Sequence, residues 1–168
     1  LASLNLMRFR TSEATFDTAA FAHAVRLWTV TLEISVMMAA FPARRIAELS
    51  YAYRTLGLGY ANIGALLMVM GIAYDSDEGR AICAAVTALM TGVAYATSAE
   101  MAAEMGPFPG FAANREPMLR VMRNHARAAT GANNQQARGQ QLGHHLAGHF
   151  QLYPFRHAVG AAHNVLGG

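Results

Sequence analysis

The run Arg54-Thr55-Leu56-Gly57-Leu58-Gly59-Tyr60-Ala61-Asn62, the apolar segment that follows it to Tyr74 and the helical pattern that then reaches Met105 limit the possible folds more than any other stretch. A short apolar run bounded by turn signals is how a buried parallel strand shows itself, without strict alternation. Gly57 and Gly59 predict a close backbone approach or a bend where the strand stops and a helix begins. The chain is therefore read as α/β and mostly helical, with two short strands and four or five helices packed around this strand–helix–helix unit.

Taken in order, Leu1-Ala2-Ser3-Leu4-Asn5-Leu6 reads as the first short strand and Thr11-Ser12-Glu13 as a polar break. Residues 17–41 carry Phe21, Val25, Trp28, Leu32 and Val36 at three- and four-residue spacing, which predicts an amphipathic helix with these side chains inward. Asp17 or Thr15 is its expected cap, and Phe41-Pro42 ends it, because proline disfavours a helical residue before it. Residues 43–53 form a short helix with Arg44, Arg45 and Glu48 toward water. After the 54–62 strand a helix runs to about Met70, with Gly71 at its C-terminal cap. Asp75 is expected to cap the long helix that follows, with Glu78 three residues on as in a capping box, and Gly106-Pro107 stops it. Asn114 is expected to cap a last helix over 115–128. That helix carries Met118, Leu119 and Met122 on one face and Arg120, Arg123 and Arg127 on another.

The 168 residues suffice for one domain with its own core. Hydrophobic residues make up 54% and charged residues only 14%. That balance points to helices buried on several sides, to a membrane protein, or to a piece of something larger. The chain opens on Leu1 with no leader before it, so it is expected not to begin where its gene begins. The single cysteine, Cys83, excludes an internal disulfide and a cysteine-based zinc site, and its apolar helical surroundings read as a buried, inert thiol. The net charge of +3 is uneven: up to residue 129 eleven arginines face ten acids, and Arg138 and Arg156 lie in a tail without acids. A pI of 9.4 without a basic stripe interleaved with aromatics argues against nucleic acid as partner.

Gly57-x-Gly59-x-x-Asn62 nearly matches a dinucleotide-binding fingerprint, in which glycines let a pyrophosphate reach a helix N-terminus. The third glycine is replaced by Asn62, and Asp75 and Asp77 are explained by helix capping, so a tight structural turn is the favoured reading over a dinucleotide-dependent oxidoreductase. Residues 55–74 and 81–99 carry no charge and match a bilayer span in length. Their content of Ala, Gly, Thr and Ser and the lack of an aromatic belt favour buried helices and no membrane. His145 and His149 are spaced i,i+4, yet the tail has no acid for a metalloprotease pattern, so no metal site is expected. Glu100 and Glu104 read as a solvated helix face, and no nucleophile-elbow pattern occurs. The residues alone thus leave a non-catalytic helical membrane or interaction protein open.

Several stretches together resemble one family, the ribonucleotide reductases. Leu1-Ala2-Ser3-Leu4-Asn5-Leu6 is similar to the strand that follows one cysteine of their reducible pair. Arg54 to Asn62 is similar to a barrel strand and turn of their large catalytic subunits. Tyr74-Asp75-Ser76-Asp77-Glu78-Gly79-Arg80, Thr97-Ser98-Ala99-Glu100-Met101-Ala102, Gly106-Pro107-Phe108 and Arg120-Val121-Met122-Arg123-Asn124-His125 look most like the adenosylcobalamin-dependent, class II members. The resemblance covers about residues 1–128.

It implies a ten-stranded α/β barrel, of which residues 1–129 would be a middle segment. It also implies an oxidoreductase that replaces the ribose 2'-hydroxyl of a ribonucleotide by hydrogen, supplying deoxyribonucleotides for DNA synthesis in the cytoplasm. The implied cofactor is adenosylcobalamin, which generates a thiyl radical, and a cysteine pair is re-reduced by a thiol reductant such as thioredoxin. Three cysteines are required and this chain has one. The thiyl cysteine and its finger loop are expected upstream of Leu1, and the phosphate-binding loop downstream. No catalytic or metal residue is thus expected here, nor cofactor binding or activity by the chain alone. Leu1 would line the substrate pocket, Gly57, Gly59 and Asn62 would be structural residues of a barrel turn, and the missing parts of the same barrel would be partners. Residues 130–168 depart from the family, with no acids and five of the seven histidines. They are expected to be a frame-shifted or disordered tail.

Overall fold

The computed structural model describes residues 1–12 and 15–129. Two strands, β1 (Ala2–Asn5) and β2 (Leu58–Ala61), pair in parallel with Ala2 opposite Leu58 and Asn5 opposite Ala61. A 3-10 turn, Leu6–Phe9, follows β1. The crossover to β2 runs through two helices, α1 (Thr18–Met38) and α2 (Arg44–Tyr53). Then come α3 (Ile63–Val69), α4 (Asp77–Met105) and α5 (Phe111–Ala129). The result is a mostly helical α/β unit with an open two-stranded sheet, the second strand being Leu58–Ala61 rather than all of 54–62.

The core sits where α1 and α4 cross above the sheet. Leu4 and Leu6 meet Phe21 and Val25 of α1, Leu66 and Leu67 of α3, and Ile82, Val86 and Leu89 of α4. Phe9, Phe16 and Phe21 form a ring cluster with centroids 5.2 to 5.9 Å apart, in the tilted and edge-on geometries that aromatic quadrupoles favour. By length and composition α4 is also able to cross a membrane, and a third of the relevant window is buried inside this fold.

Local signals account for most helix ends. The Asp17 carboxylate accepts from the Ala20 N–H at 2.8 Å and caps α1. At the end of α3, Gly71 sits at φ +72°, its N–H bonds to the Met68 carbonyl and Ile72 N–H to that of Leu67. This is the Schellman pattern, with glycine where L-residues are strained.

Four expectations need correction. Asp75 does not cap α4: the Ser76 hydroxyl accepts from Gly79 N–H at 3.0 Å, leaving Asp77 and Glu78 as first-turn acids beside the helix dipole. Asn114 does not cap α5: the helix starts at Phe111, and the Asn114 amide donates to the Gly110 carbonyl at 2.8 Å. Pro117, acceptable in the first turn of the expected helix, therefore lies in its interior. Trp28 is 42% exposed, and Thr29 takes the inward place, its hydroxyl donating to the Val25 carbonyl. Finally, α1 ends at Met38, before Phe41-Pro42.

Candidate functional site

The residues singled out from the sequence lie at the two ends of the strand pair. At its start, Ala2 N–H donates to the Gly57 carbonyl at 2.8 Å, and Leu1 is fully exposed beside it. A Cβ on Gly57 would stand 2.7 Å from Leu1 Cδ1, whereas on Gly59, inside β2, the nearest atom would be Ser3 Oγ at 3.8 Å. Of the two glycines, Gly57 alone marks a close approach, and its neighbour is the mobile end of a side chain. At the other end Asn62 makes the turn into α3 at φ +70°, a conformation asparagine tolerates. Its amide donates to Asn5 Oδ1 at 2.8 Å, and the same oxygen accepts from Met7 N–H. One side-chain pair thus ties the C-terminal ends of both strands, the end at which ligands bind in parallel α/β folds. Gly57 and Gly59 precede that end, and one residue separates β2 from α3, so this turn lacks the glycine loop a pyrophosphate needs at a helix N-terminus.

Cys83 is half-buried rather than fully enclosed. It faces β2 from α4, with Sγ 3.3 Å from the Tyr60 hydroxyl. The Thr87 hydroxyl spends its proton on the Cys83 carbonyl at 2.8 Å, so Tyr60 donates to Thr87 at 2.8 Å and the thiol donates to Tyr60. Burial pushes the Tyr60 phenol above its ordinary range. This cluster contains no carboxylate or imidazole. The sequence signal for it was the i,i+4 spacing of Cys83 and Thr87, which says nothing of Tyr60.

A second cluster lines a groove of 440 Å³ between the end of α2, α4 and α5, walled by Tyr53, Tyr95, Phe108, Met118 and Met122. Tyr95 and His125 stack with their rings 8° from parallel, and the Tyr95 hydroxyl is 3.1 Å from His125 Nδ1. Burial raises the Tyr95 phenol as well. Glu100, expected on a solvated face, pairs with Arg26 at half exposure. No three His, Cys, Asp or Glu side chains converge to hold a metal among the described residues, and His145 and His149 lie outside them. The arrangement orders a strand pair and lines an open groove; among the described residues it does not assemble an acid–base pair or an activated nucleophile.

Comparison with known proteins supplies what this geometry lacks. The family model "Ribonucleotide reductase, barrel domain" matches residues 1–161, running past the composition change near residue 130. A "Vitamin B12-dependent ribonucleotide reductase" of Agrobacterium fabrum is 70% identical over 132 residues, covering 78% of this chain and 10% of that protein. One of the same name from Bradyrhizobium diazoefficiens is 63% identical over 135 residues, covering 80% of this chain and 11% of that protein. The "Ribonucleoside-diphosphate reductase large chain" of Encephalitozoon cuniculi is 28% identical over 111 residues, covering 66% of this chain and 14% of that protein. The chain spans about a tenth of the length of the Agrobacterium and Bradyrhizobium proteins. With the family model covering nearly all of it, this chain belongs to the ribonucleotide reductase barrel-domain family.

Proposed function

We propose that this chain is a segment of the catalytic barrel of a vitamin B12-dependent ribonucleoside-diphosphate reductase, which converts ribonucleotides to deoxyribonucleotides in the cytoplasm. The observation that carries this reading is the contrast in identity: 70% to a B12-dependent enzyme against 28% to a ribonucleoside-diphosphate reductase large chain. The parallel pair with helical crossover supports it, since such a pair is the unit from which a closed parallel barrel is built. On this reading β1 and β2 are two of ten strands, residues 1–129 are the barrel segment, and the rest of the barrel closes on them.

Within that enzyme Leu1 lines the ribonucleotide pocket, and Gly57, Gly59 and Asn62 are structural. Adenosylcobalamin is the cofactor of the full-length enzyme on this reading, and this chain has one thiol where the radical chemistry requires three. Cofactor, cysteine pair and thiol reductant therefore act through the rest of the polypeptide, and the segment alone is inactive. The test replaces the matching segment of the Agrobacterium fabrum enzyme by residues 1–129. Cobalamin-dependent turnover by the chimera, with none by the isolated chain, is the expected result. Turnover by the isolated chain, or a folded chimera without turnover, would overturn it. Solubility of the isolated chain without detergent separates this reading from a membrane protein.

A further inference from the structure

We propose that the far face of α1 is an interface, covered in the full-length polypeptide by an uncharged, apolar surface from a segment outside this chain. The inference rests on the reductase reading, because that reading supplies the longer polypeptide. One side of α1 is spent on the core: Phe21, Val25, Thr29 and Leu32 are buried. Leu27, Ile34 and Met38 fall on the opposite side of the same helix and are 53%, 46% and 79% exposed.

Three details fit this face for removal from water. Between Leu27 and Met38 the only ionisable side chain is Glu33, already committed to Arg54 in a pair with both side chains largely buried. The two hydroxyls on the face are satisfied within the helix: Thr31 donates to the Leu27 carbonyl and Ser35 to the Thr31 carbonyl, each at 2.8 Å. Covering the face therefore strands no donor and buries no unpaired charge, the two penalties that ordinarily keep a helix face in water. A helix apolar on opposite sides is the pattern of an element held between two layers. The sheet and α4 supply one layer. The occupant of the other is assigned to the same polypeptide because about nine-tenths of the relatives' length lies outside this chain.

Hydroxyl-radical footprinting of Met38, read by mass spectrometry, tests this on a native side chain. It is run on the isolated chain over a range of concentrations, with and without phosphatidylcholine vesicles, and on the chimera described above. Oxidation of Met38 is expected to fall at least about tenfold in the chimera, as at a fully desolvated contact, and to stay high in the isolated chain throughout. Equal reactivity in the two overturns the proposal. So does protection of the isolated chain that grows with its own concentration, which assigns the face to a second copy, or protection by vesicles, which assigns it to lipid. Turnover is recorded on the same samples. An active chimera with reactive Met38 overturns the interface alone; a protected Met38 without turnover keeps the interface and counts against the reductase reading.

Discussion

Gly110 is a glycine whose missing Cβ matters at the level of single residues. Its N–H reaches the Ala52 carbonyl at 2.8 Å, and a Cβ would lie 2.9 Å from both that oxygen and the Tyr53 ring. This contact docks the start of α5 on the end of α2 and sets one wall of the groove. Gly110→Ala is expected to cost about 1–3 kcal/mol in urea unfolding, as overpacking against backbone does. Gly59→Ala, with nothing nearer than 3.8 Å, is expected to cost less than about 1 kcal/mol by the same measurement. The phenols make a second prediction. Folding raises Tyr60 and Tyr95 above the ordinary 10.0, chiefly through burial. The unfolded chain gives up these protons first, so their contribution to stability is complete below pH 10.0 and is lost as pH rises through the folded values. Tyrosinate absorbance should show two phenols ionising late, and Tyr60→Phe should remove one of them and shrink the alkaline loss of stability. Early ionisation of both would contradict the burial seen here.

Among the elements, α4 depends on its first turn because it carries the core side chains Ile82, Val86 and Leu89 on one face. Both Asp75 and Ser76 have the chemistry of a cap, and only Ser76 uses it: Asp75 precedes the cap, where its carboxylate cannot reach the free N–H groups of the first turn. Ser76→Ala is expected to destabilise by about 1 kcal/mol, the usual cost of a lost N-cap, and Asp75→Ala by clearly less. Thermal unfolding of the two variants decides between them; the reverse order would restore the capping box read from the sequence.

For the whole molecule, the weak point is the sheet. Two short parallel strands with both outer edges unpaired in the described structure are marginal on their own. The helical core of α1, α3 and α4 holds them, and Asn5–Asn62 clamps only one end. In the isolated chain the β1 and β2 amides are therefore expected to exchange at least about tenfold faster than in the chimera, where further strands pair their edges. Equal exchange in the two would mean that the pair is not extended by neighbours.

What the sequence by itself determined is what depends on a few neighbouring residues. The periodicity of α1 and α4, the glycine stop after α3 and the apolar runs of both strands are interactions within a few turns of chain. The long ordered resemblance located the family for the same reason, since it reads residues in sequence order. On α1 the sequence placed Phe21, Val25 and Leu32 inward, and only the tertiary structure decided which further residue joins them. That residue is Thr29, which is buried, rather than Trp28, which is 42% exposed. The tertiary structure alone decided that Gly110, unlike Gly59, is a tight glycine, because the atom in the way belongs to Ala52. Asn5 with Asn62 and Tyr60 with Cys83 are likewise pairs of distant residues. Their meeting depends on how the helices pack, a sum of many weak contacts that no local pattern records.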